Sequence, residues 1–304
     1  MTEGRTAWIF PGQGSQDVGM GRDLYDASPA ARALFDRADE VLGRPLSRLC
    51  FEGPADALGA TSNAQPAIYV MSLACLTAAR EAGPLPAPAF VAGHSLGEYT
   101  ALAAVNAFSF EDGLQLVAQR GRLTEEAAKA TPGGMAAILG LDEDLVQALC
   151  TEAGAEVCNI NAPGQIVIGG REDALARAME LASARGARRA VRLDVAGAFH
   201  TSLMGSAVEA FGRAVSSTEM RAPEAPFVAN DGGRPLTDPV TIAEELVHQL
   251  THPVQWVRCV RFLASEGVTH VIELGPGRVL TGLVKRIAPE IGLRNINDAA
   301  TARA

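Results

Sequence analysis

Short apolar runs alternate with longer amphipathic segments along most of the chain, which is the pattern of an α/β protein. The short runs predict buried strands at 7–10, 89–92, 227–229 and 268–274. Apolar positions with helical spacing predict helices at 28–42, 65–81, 98–107, 110–130, 202–216, 241–250, 254–266 and 279–287. The pattern ends near Asn297, and we expect a frayed tail beyond it.

The pattern changes after the break Pro132-Gly133-Gly134. The predicted elements that follow are a strand at 135–139, a helix at 142–153, strands at 156–160 and 165–169, a helix at 173–185 and a strand at 188–195. This β-α-β-β-α-β order is typical of a ferredoxin-like unit. The sequence therefore predicts a small subdomain, 132–196, inserted into a large α/β domain formed by 1–131 and 197–304.

Composition narrows the class of protein. The 304 residues are 48% hydrophobic, which is enough for a large buried core. The net charge of −9 and the isoelectric point near 5.1 argue against nucleic acid or an anionic membrane as the main partner. No uncharged run approaches transmembrane length, and the first residues lack signal-peptide character, so we expect a cytoplasmic protein.

The cysteines and histidines give no sign of a disulfide framework or a metal centre. The cysteines are Cys50, Cys75, Cys150, Cys158 and Cys259. Their odd number and the lack of a C-x-x-C pair predict reduced thiols that act as small core residues. No pair of histidines has zinc-motif spacing, so we expect no metal centre.

Candidate chemistry is concentrated at Gly93-His94-Ser95-Leu96-Gly97, which fits the nucleophile-elbow pattern G-x-S-x-G. A predicted strand precedes this motif and a predicted helix follows it, which is the context that the elbow requires. The glycines permit a strained turn with close packing of strand against helix. Ser95 would then stand at a helix N-terminus, where developing negative charge is favoured. A purely structural turn is the alternative.

A serine nucleophile needs a base. His94 adjoins Ser95, but its side chain should point away from the serine, so we interpret it as structural. His200 is the better candidate, because it follows a Gly-Ala-Phe turn where the small subdomain rejoins the large domain. Loop residues at such junctions line clefts. On the residues alone, a structural role for His200 is equally plausible.

Five motifs occur in order: FPGQGSQ at 10–16, GHSLGEY at 93–99, AFH at 198–200, QLTHPVQW at 249–256 and ELGPG at 273–277. Together they resemble the malonyl-CoA:acyl carrier protein transacylases of fatty acid and polyketide synthesis. The resemblance extends from about residue 6 to about residue 288. It implies an α/β-hydrolase-like core with an inserted ferredoxin-like subdomain, and transfer of a malonyl group from malonyl-CoA to an acyl carrier protein. That reaction would require no metal ion and no organic cofactor.

The resemblance also implies roles for individual residues. Ser95 and His200 would form a catalytic dyad, with a backbone carbonyl near Gln249 in place of an acidic third member. The N–H groups of Leu96 and Gln13 would form the oxyanion hole. Phe199, in the AFH motif, would lie in the substrate site, and this form of the motif resembles malonyl-selective members.

Arg120 would select the substrate, because the matching arginine of the family pairs with the malonyl carboxylate. A guanidinium forms a planar, bidentate pair with a carboxylate, and an apolar acyl group would leave it buried and unpaired. A solvated helix arginine is the simpler interpretation. The chain departs from the family where Met-Gln usually follows, since Thr124-Glu125 stands there. That change would alter the pocket wall, and an inward Glu125 would repel a second carboxylate.

Several alternatives stay open at this level. They are a polyketide acyltransferase with another carboxyacyl unit, a proofreading acyl-thioester hydrolase, an ordinary esterase and a non-catalytic carrier-protein-binding module. Because carrier proteins are usually acidic, docking would need a local basic patch. The candidates are Arg188, Arg189 and Arg192, or Lys285 and Arg286. We expect a monomer.

Overall fold

Two β-sheets organise the chain in the computed structural model, which describes residues 4–304. The strands are β1 (Arg5–Phe10), β2 (Phe90–Gly93), β3 (Gly134–Leu139), β4 (Glu156–Ala162), β5 (Gln165–Gly170), β6 (Arg189–Arg192), β7 (Phe227–Val228), β8 (Pro235–Leu236), β9 (Val268–Leu274) and β10 (Gly292–Ile296). The larger sheet has the order β10-β9-β1-β2-β7-β8, and all its pairs are parallel except β7 with β8.

The helices surround these sheets. They are α1 (Arg22–Ala27), α2 (Pro29–Leu42), α3 (Leu46–Glu52), α4 (Ala55–Gly59), α5 (Thr61–Ala82), α6 (Gly97–Ala104), α7 (Phe110–Ala130), α8 (Glu143–Ala153), α9 (Glu172–Ala184), α10 (Gly205–Ser217), α11 (Pro239–His248), α12 (Trp256–Ser265), α13 (Val279–Ile287) and α14 (Ala299–Arg303). Two 3₁₀ turns, Ser202–Met204 and Gln249–Thr251, adjoin α10 and α11. No helix within 4–304 is both long and apolar enough to cross a membrane.

The larger sheet is buried on both faces, as parallel sheets usually are. Side chains of β1 alternate between two hydrophobic clusters. Trp8 and Phe10 belong to the cluster that includes α2, α5 and α7, whereas Ala7 and Ile9 belong to the cluster with α12 and α13. The continuous apolar run at the start of the sequence therefore predicts this strand correctly.

The carboxyl ends of the parallel strands meet at one edge of this sheet. The loop after β1 contains Gln13, the turn after β2 contains Ser95, and the loop after β7 contains Asn230. In open parallel sheets this edge is where ligands bind. The topology alone therefore gathers three segments that are far apart in sequence.

The second sheet is antiparallel, with the order β4-β5-β3-β6. Its elements follow the predicted order of strands and helices between 132 and 196. Helices α8 and α9 cover one face through a cluster that includes Leu149, Ile168 and Leu175. Hydrogen bonds between β4 and Val254 attach the sheet to the rest of the chain, the bond from Ile160 N to Val254 O being 2.9 Å long.

The expectation of a frayed tail after Asn297 is wrong. Helix α14 begins with a capping box in which the Asp298 carboxylate accepts the Thr301 N–H at 2.7 Å. Its Ala302 is buried in the main core. The sequence pattern misses this helix because its stability comes from a cap and from packing on α5, which a short polar segment does not reveal. The elements α1, α3, α4, β8 and β10 are also missed, because each has only two to seven residues and is too short to show a clear hydrophobic period.

The five cysteines are all free and buried. Burial raises the pKa of the Cys50 and Cys150 thiols to about 12, so these side chains stay protonated. This agrees with the interpretation of the cysteines as small core residues.

Candidate active site

Ser95 stands on a strained turn between β2 and α6. Its φ is +52°, a left-handed value that non-glycine residues seldom adopt. The flanking residues Gly93 and Gly97 allow the close backbone packing that holds this turn. A Cβ on Gly93 would lie 1.8 Å from the carbonyl carbon of Gly97, and one on Gly97 would lie 2.1 Å from the Phe10 oxygen. Together these contacts force the Ser95 side chain outward, toward the edge where the parallel strands end.

His200 lies beside this serine. Its Nε2 is 2.7 Å from Ser95 Oγ, and its Nδ1 is 2.8 Å from the backbone oxygen of Gln249. Because a carbonyl can only accept, Nδ1 carries the proton and Nε2 is free to accept one from Ser95. Burial, with Arg120 nearby, lowers the pKa of His200 to about 3, so the imidazole is neutral at physiological pH.

Arg120 reaches the same point from α7. Its side chain is 4% exposed, and its Nη2 donates to Ser95 Oγ at 3.1 Å and to Gln249 Oε1 at 2.8 Å. Its Nη1 donates to Gln65 Oε1 at 3.0 Å. Within 4–304 no carboxylate pairs with this guanidinium, and its Nε has no hydrogen-bond partner. A buried cation without an anion is costly, so the site is suited to an anionic ligand.

The N–H groups of Gln13 and Leu96 come from the two loops that flank Ser95. In the described part of the chain neither N–H donates a hydrogen bond. The two loops approach closely, since a Cβ on Gly12 would lie 2.4 Å from the His94 oxygen. Unpaired backbone donors beside a candidate nucleophile are the arrangement expected of an oxyanion hole.

A cavity of about 710 Å³ opens in front of these groups. It is lined by the loop after β1, by the elbow and α7, by the open face of the second sheet and by α13. Phe199 and Thr124 both line it, as do Ser95, His200 and Arg120. His94 also lines it, but its Nε2 is engaged 2.8 Å from Asn161 Oδ1 and not with Ser95.

Thr124 and Glu125 face different surroundings. Thr124 is buried, and its hydroxyl donates to the Arg120 backbone oxygen at 2.8 Å. Glu125 does not line the cavity; its carboxylate accepts the Ser62 N–H at 3.0 Å and pairs with Lys129 at 2.6 Å. The possible repulsion between an inward Glu125 and a second carboxylate therefore does not arise in this structure.

Sequence reasoning missed two residues that hold the site together. Asn230 accepts the Ser95 N–H at 2.7 Å, and Glu98 is a fully buried acid in α6. Glu98 is the one charged residue of α6, and that feature of the sequence could have identified it. The structure also brings possible ligand atoms of Asp231, Glu245 and His248 within 4.8 Å of one another, away from the residues that line the cavity.

Taken together, the fold and the site define a serine acyltransferase-type centre. The family model for the acyl transferase domain matches residues 7–302, and the chain belongs to this family. The chain is 43% identical over 302 residues to the malonyl CoA-acyl carrier protein transacylase of Bacillus subtilis (strain 168), covering 98% of this chain and 95% of that protein.

Solved structures agree with this assignment. The acyl-carrier-protein S-malonyltransferase of Burkholderia pseudomallei 1710b matches with a TM-score of 0.95 and 43% identity, over 98% of each chain. A malonyl-transacylase in complex with a type II polyketide synthase acyl carrier protein also has a TM-score of 0.95, at 38% identity, over 98% of this chain and 97% of that one. The mixed α/β fold, with one parallel-rich and one antiparallel sheet, is therefore that of the malonyltransferases.

Proposed function

We propose that this protein transfers a malonyl group from malonyl-CoA to the phosphopantetheine thiol of an acyl carrier protein, through a malonyl-Ser95 intermediate. The observation that carries the proposal is the buried guanidinium of Arg120, which pairs with no carboxylate within 4–304. It lies 3.1 Å from the oxygen of Ser95, which His200 contacts in turn. An acyl group that carries its own carboxylate satisfies both groups at once.

In the first half-reaction, His200 Nε2 takes the proton of Ser95 while Oγ attacks the thioester carbonyl carbon. The oxyanion that forms is stabilised by the N–H groups of Leu96 and Gln13. The C–S bond then breaks, His200 returns the proton to the CoA sulfur, and CoA leaves as the thiol. The carbonyl of Gln249 holds the imidazole in the required tautomer throughout.

The second half-reaction is the reverse process with a different thiol. The phosphopantetheine thiol gives its proton to His200 and attacks the malonyl ester carbon. The bond to Ser95 Oγ breaks, and His200 returns the proton to that oxygen. The scheme uses no metal ion and no organic cofactor beyond the substrates.

Arg120 restricts the acyl group. In malonyl the carboxylate is separated from the reacting carbonyl by one methylene, which suits a guanidinium in contact with the nucleophile. Acetyl would leave the buried cation unpaired. The same feature argues against a proofreading hydrolase, which must accept chains without a carboxylate. An ordinary esterase is also disfavoured, because His200 Nδ1 pairs with a carbonyl and not with an acid.

For the fold, we propose the finer description of an α/β-hydrolase-like domain, 1–131 and 197–304, with a ferredoxin-like subdomain, 132–196. The strand–elbow–helix passage at Ser95 and the parallel sheet support the first part. The β-α-β-β-α-β order and the sheet order β4-β5-β3-β6 support the second.

The compartment we propose is the cytoplasm, because buried free cysteines fit a reducing environment.

The carrier protein would dock at the mouth of the cavity. Arg188 and Arg189 are exposed on the edge of the second sheet, a few residues before the cavity-lining segment 193–196. Lys285 is exposed on α13, close in sequence to the cavity residue Leu283. Arg192 and Arg286 are less available, since they bond Glu172 and the Pro163 oxygen respectively.

The experiment is intact-mass analysis after incubation with separate acyl-CoAs, with Ser95→Ala as the control. Malonyl-CoA should add one malonyl group to the native protein and nothing to the variant. Addition of a holo acyl carrier protein should then remove the group from the enzyme and add it to the carrier. Absence of a malonyl adduct, or its loss to water at the same rate with and without the carrier, would overturn the proposal.

A further inference from the structure

Two buried carboxyl groups lie behind the candidate site, and neither forms an ion pair within 4–304. They are Glu98 in α6, which is fully buried, and Glu245 in α11, which is 3% exposed. Burial raises the pKa of both side chains; at Glu98 the hydrogen bonds from Asn230 and Gln249 and the nearby Arg120 act in the opposite direction and favour the carboxylate. Only Glu98 contacts residues of the site, whereas Glu245 accepts the Asp231 N–H at 3.0 Å.

The first oxygen of Glu98 supports the turn that carries the nucleophile. Glu98 Oε1 accepts the Asn230 N–H at 2.6 Å. The Asn230 side chain in turn accepts the Ser95 N–H and donates to the Gly93 oxygen, both at 2.7 Å. Glu98 is thus linked, through one residue, to the positive-φ backbone of Ser95.

The second oxygen of Glu98 supports the base and the arginine. Glu98 Oε2 accepts Gln249 Nε2 at 2.6 Å. The other end of that amide, Oε1, accepts Arg120 Nη2 at 2.8 Å, and the Gln249 backbone oxygen accepts His200 Nδ1 at 2.8 Å. The amide of Gln249 therefore bridges a carboxylate and a guanidinium, and its orientation is fixed at both ends.

We propose that Glu98 is a positioning residue for malonyl selectivity: through Gln249 it fixes the guanidinium of Arg120 beside Ser95. The inference rests on the proposed function, since selectivity is defined there by the malonyl carboxylate. Glu98 touches no substrate atom and acts through its two hydrogen-bond partners.

The chemical reason for a carboxylate is that both partners of Glu98 are donors. A glutamine at this position has the same shape but only one accepting end. When its oxygen accepts the Asn230 N–H, its NH₂ group faces the NH₂ of Gln249. The Gln249 amide can relieve this clash only by rotating so that its oxygen and nitrogen exchange places. That turn would place the Gln249 NH₂ against the Arg120 guanidinium, so Arg120 would lose the acceptor that orients it.

The test compares acylation of Ser95 by malonyl-CoA and by acetyl-CoA in the native protein and in Glu98→Gln. We expect kcat/KM for malonyl-CoA to fall by at least about tenfold, and the malonyl-to-acetyl ratio to fall by at least about tenfold as well. A purely structural role would lower both substrates equally and leave the ratio unchanged. An unchanged ratio in a folded Glu98→Gln protein overturns the inference.

Glu245→Gln is the matched control, because it removes a second buried carboxyl that does not contact the site. Its malonyl-to-acetyl ratio should equal that of the native protein. If Glu98→Gln does not fold, Gln249→Leu breaks the same link from the other side while keeping the backbone carbonyl for His200. It should also lower the malonyl-to-acetyl ratio, and a native ratio there would likewise overturn the inference. Failure of the native protein to form a malonyl adduct would instead refute the proposed function.

Discussion

The guanidinium of Arg120 and the hydroxyl of Ser95 are in direct contact, with Nη2 and Oγ separated by 3.1 Å. The group proposed to bind the substrate carboxylate therefore lies against the group proposed to attack the substrate carbonyl. Because the two groups are this close, an acyl group can contact both only if its carboxylate lies near its reacting carbonyl.

Replacing Arg120 by alanine should separate malonyl from acetyl transfer. We expect kcat/KM for malonyl-CoA to fall by about 100-fold or more, because a charged, bidentate pair is lost, and acetyl loading to be spared or raised. Steady-state loading of Ser95 by each acyl-CoA measures this. Arg120→Lys keeps the positive charge but lacks the planar, two-pronged guanidinium. Its kcat/KM for malonyl-CoA should lie between the values of the native protein and of Arg120→Ala. Unchanged malonyl loading in Arg120→Ala would contradict the role of this residue.

The acidic side of the pH profile should be unusually flat. A base works when deprotonated, and burial together with Arg120 lowers the pKa of His200 to about 3. Its activity should be lost only as the pH falls toward that value. Between about pH 5 and about pH 8, kcat/KM should therefore show no loss with a midpoint near 6.5, the pKa of an ordinary histidine.

The matched measurement uses the Arg120→Ala protein with acetyl-CoA. Removing the nearby cation should raise the pKa of His200, so the acid limb should move to higher pH. An acid limb centred near the ordinary histidine value in the native protein would contradict this account of the base.

Glu125 should contribute to stability and not to substrate choice. Its bonds to Lys129 and to the Ser62 N–H, in the first turn of α5, lower its pKa to about 2. A depressed carboxyl pKa stabilises the fold in full above the unfolded value, and that contribution is lost as pH falls toward the folded value. Glu125→Gln should lower the free energy of unfolding by about 1 kcal/mol at pH 7.

Urea denaturation at neutral and at acidic pH checks this. The difference between Glu125→Gln and the native protein should shrink as the pH falls from about 4.5 toward about 2. Glu126→Gln is the control, since Glu126 pairs with Arg122 in a more exposed position. A pH-independent difference, or an altered malonyl-to-acetyl ratio in Glu125→Gln, would count against this assignment.

Much of the fold follows from local pattern, because long apolar or amphipathic segments such as β9 and α7 lie where the sequence predicts them. Ser95 is also recognisable locally, from the glycines that its turn requires. The partnership of Ser95 with His200 could not be derived from spacing, since 105 residues separate them and the sheet topology brings them together. The orientation of the Glu125 side chain likewise could not be predicted from the sequence, because it depends on the Ser62 N–H of another helix.

The C-terminal helix should stabilise the fold through its cap. Asp298 accepts the Thr301 N–H at 2.7 Å, and its loss leaves a helix-end donor unpaired. Asp298→Ala should lower the free energy of unfolding by about 1 kcal/mol. Chemical denaturation measures the change, and Glu290→Ala, at an exposed position nearby in sequence, should have no effect. Equal stability of the two variants would mean that the Asp298 cap adds nothing to the stability of the fold.

Thr124 should determine how large a carboxyacyl group the site accepts. It lies one turn after Arg120 on the same face of α7, lines the cavity and turns its hydroxyl back to the helix backbone. A residue this small leaves room beside the guanidinium for a branch on the acyl group. We therefore expect the native protein to load methylmalonyl-CoA measurably. Thr124→Met should lower the methylmalonyl-to-malonyl ratio by about tenfold or more, because the longer side chain occupies that space.

The control for Thr124 is valine, which has nearly the same volume and carries a methyl group in place of the hydroxyl. If the available space determines the acyl group, Thr124→Val should retain the native ratio while Thr124→Met loses it. Intact-mass competition between methylmalonyl-CoA and malonyl-CoA gives the ratio directly from the mass added to Ser95. Complete refusal of methylmalonyl-CoA by the native protein, or equal ratios in the Val and Met variants, would assign the limit on acyl size to another part of the cavity wall.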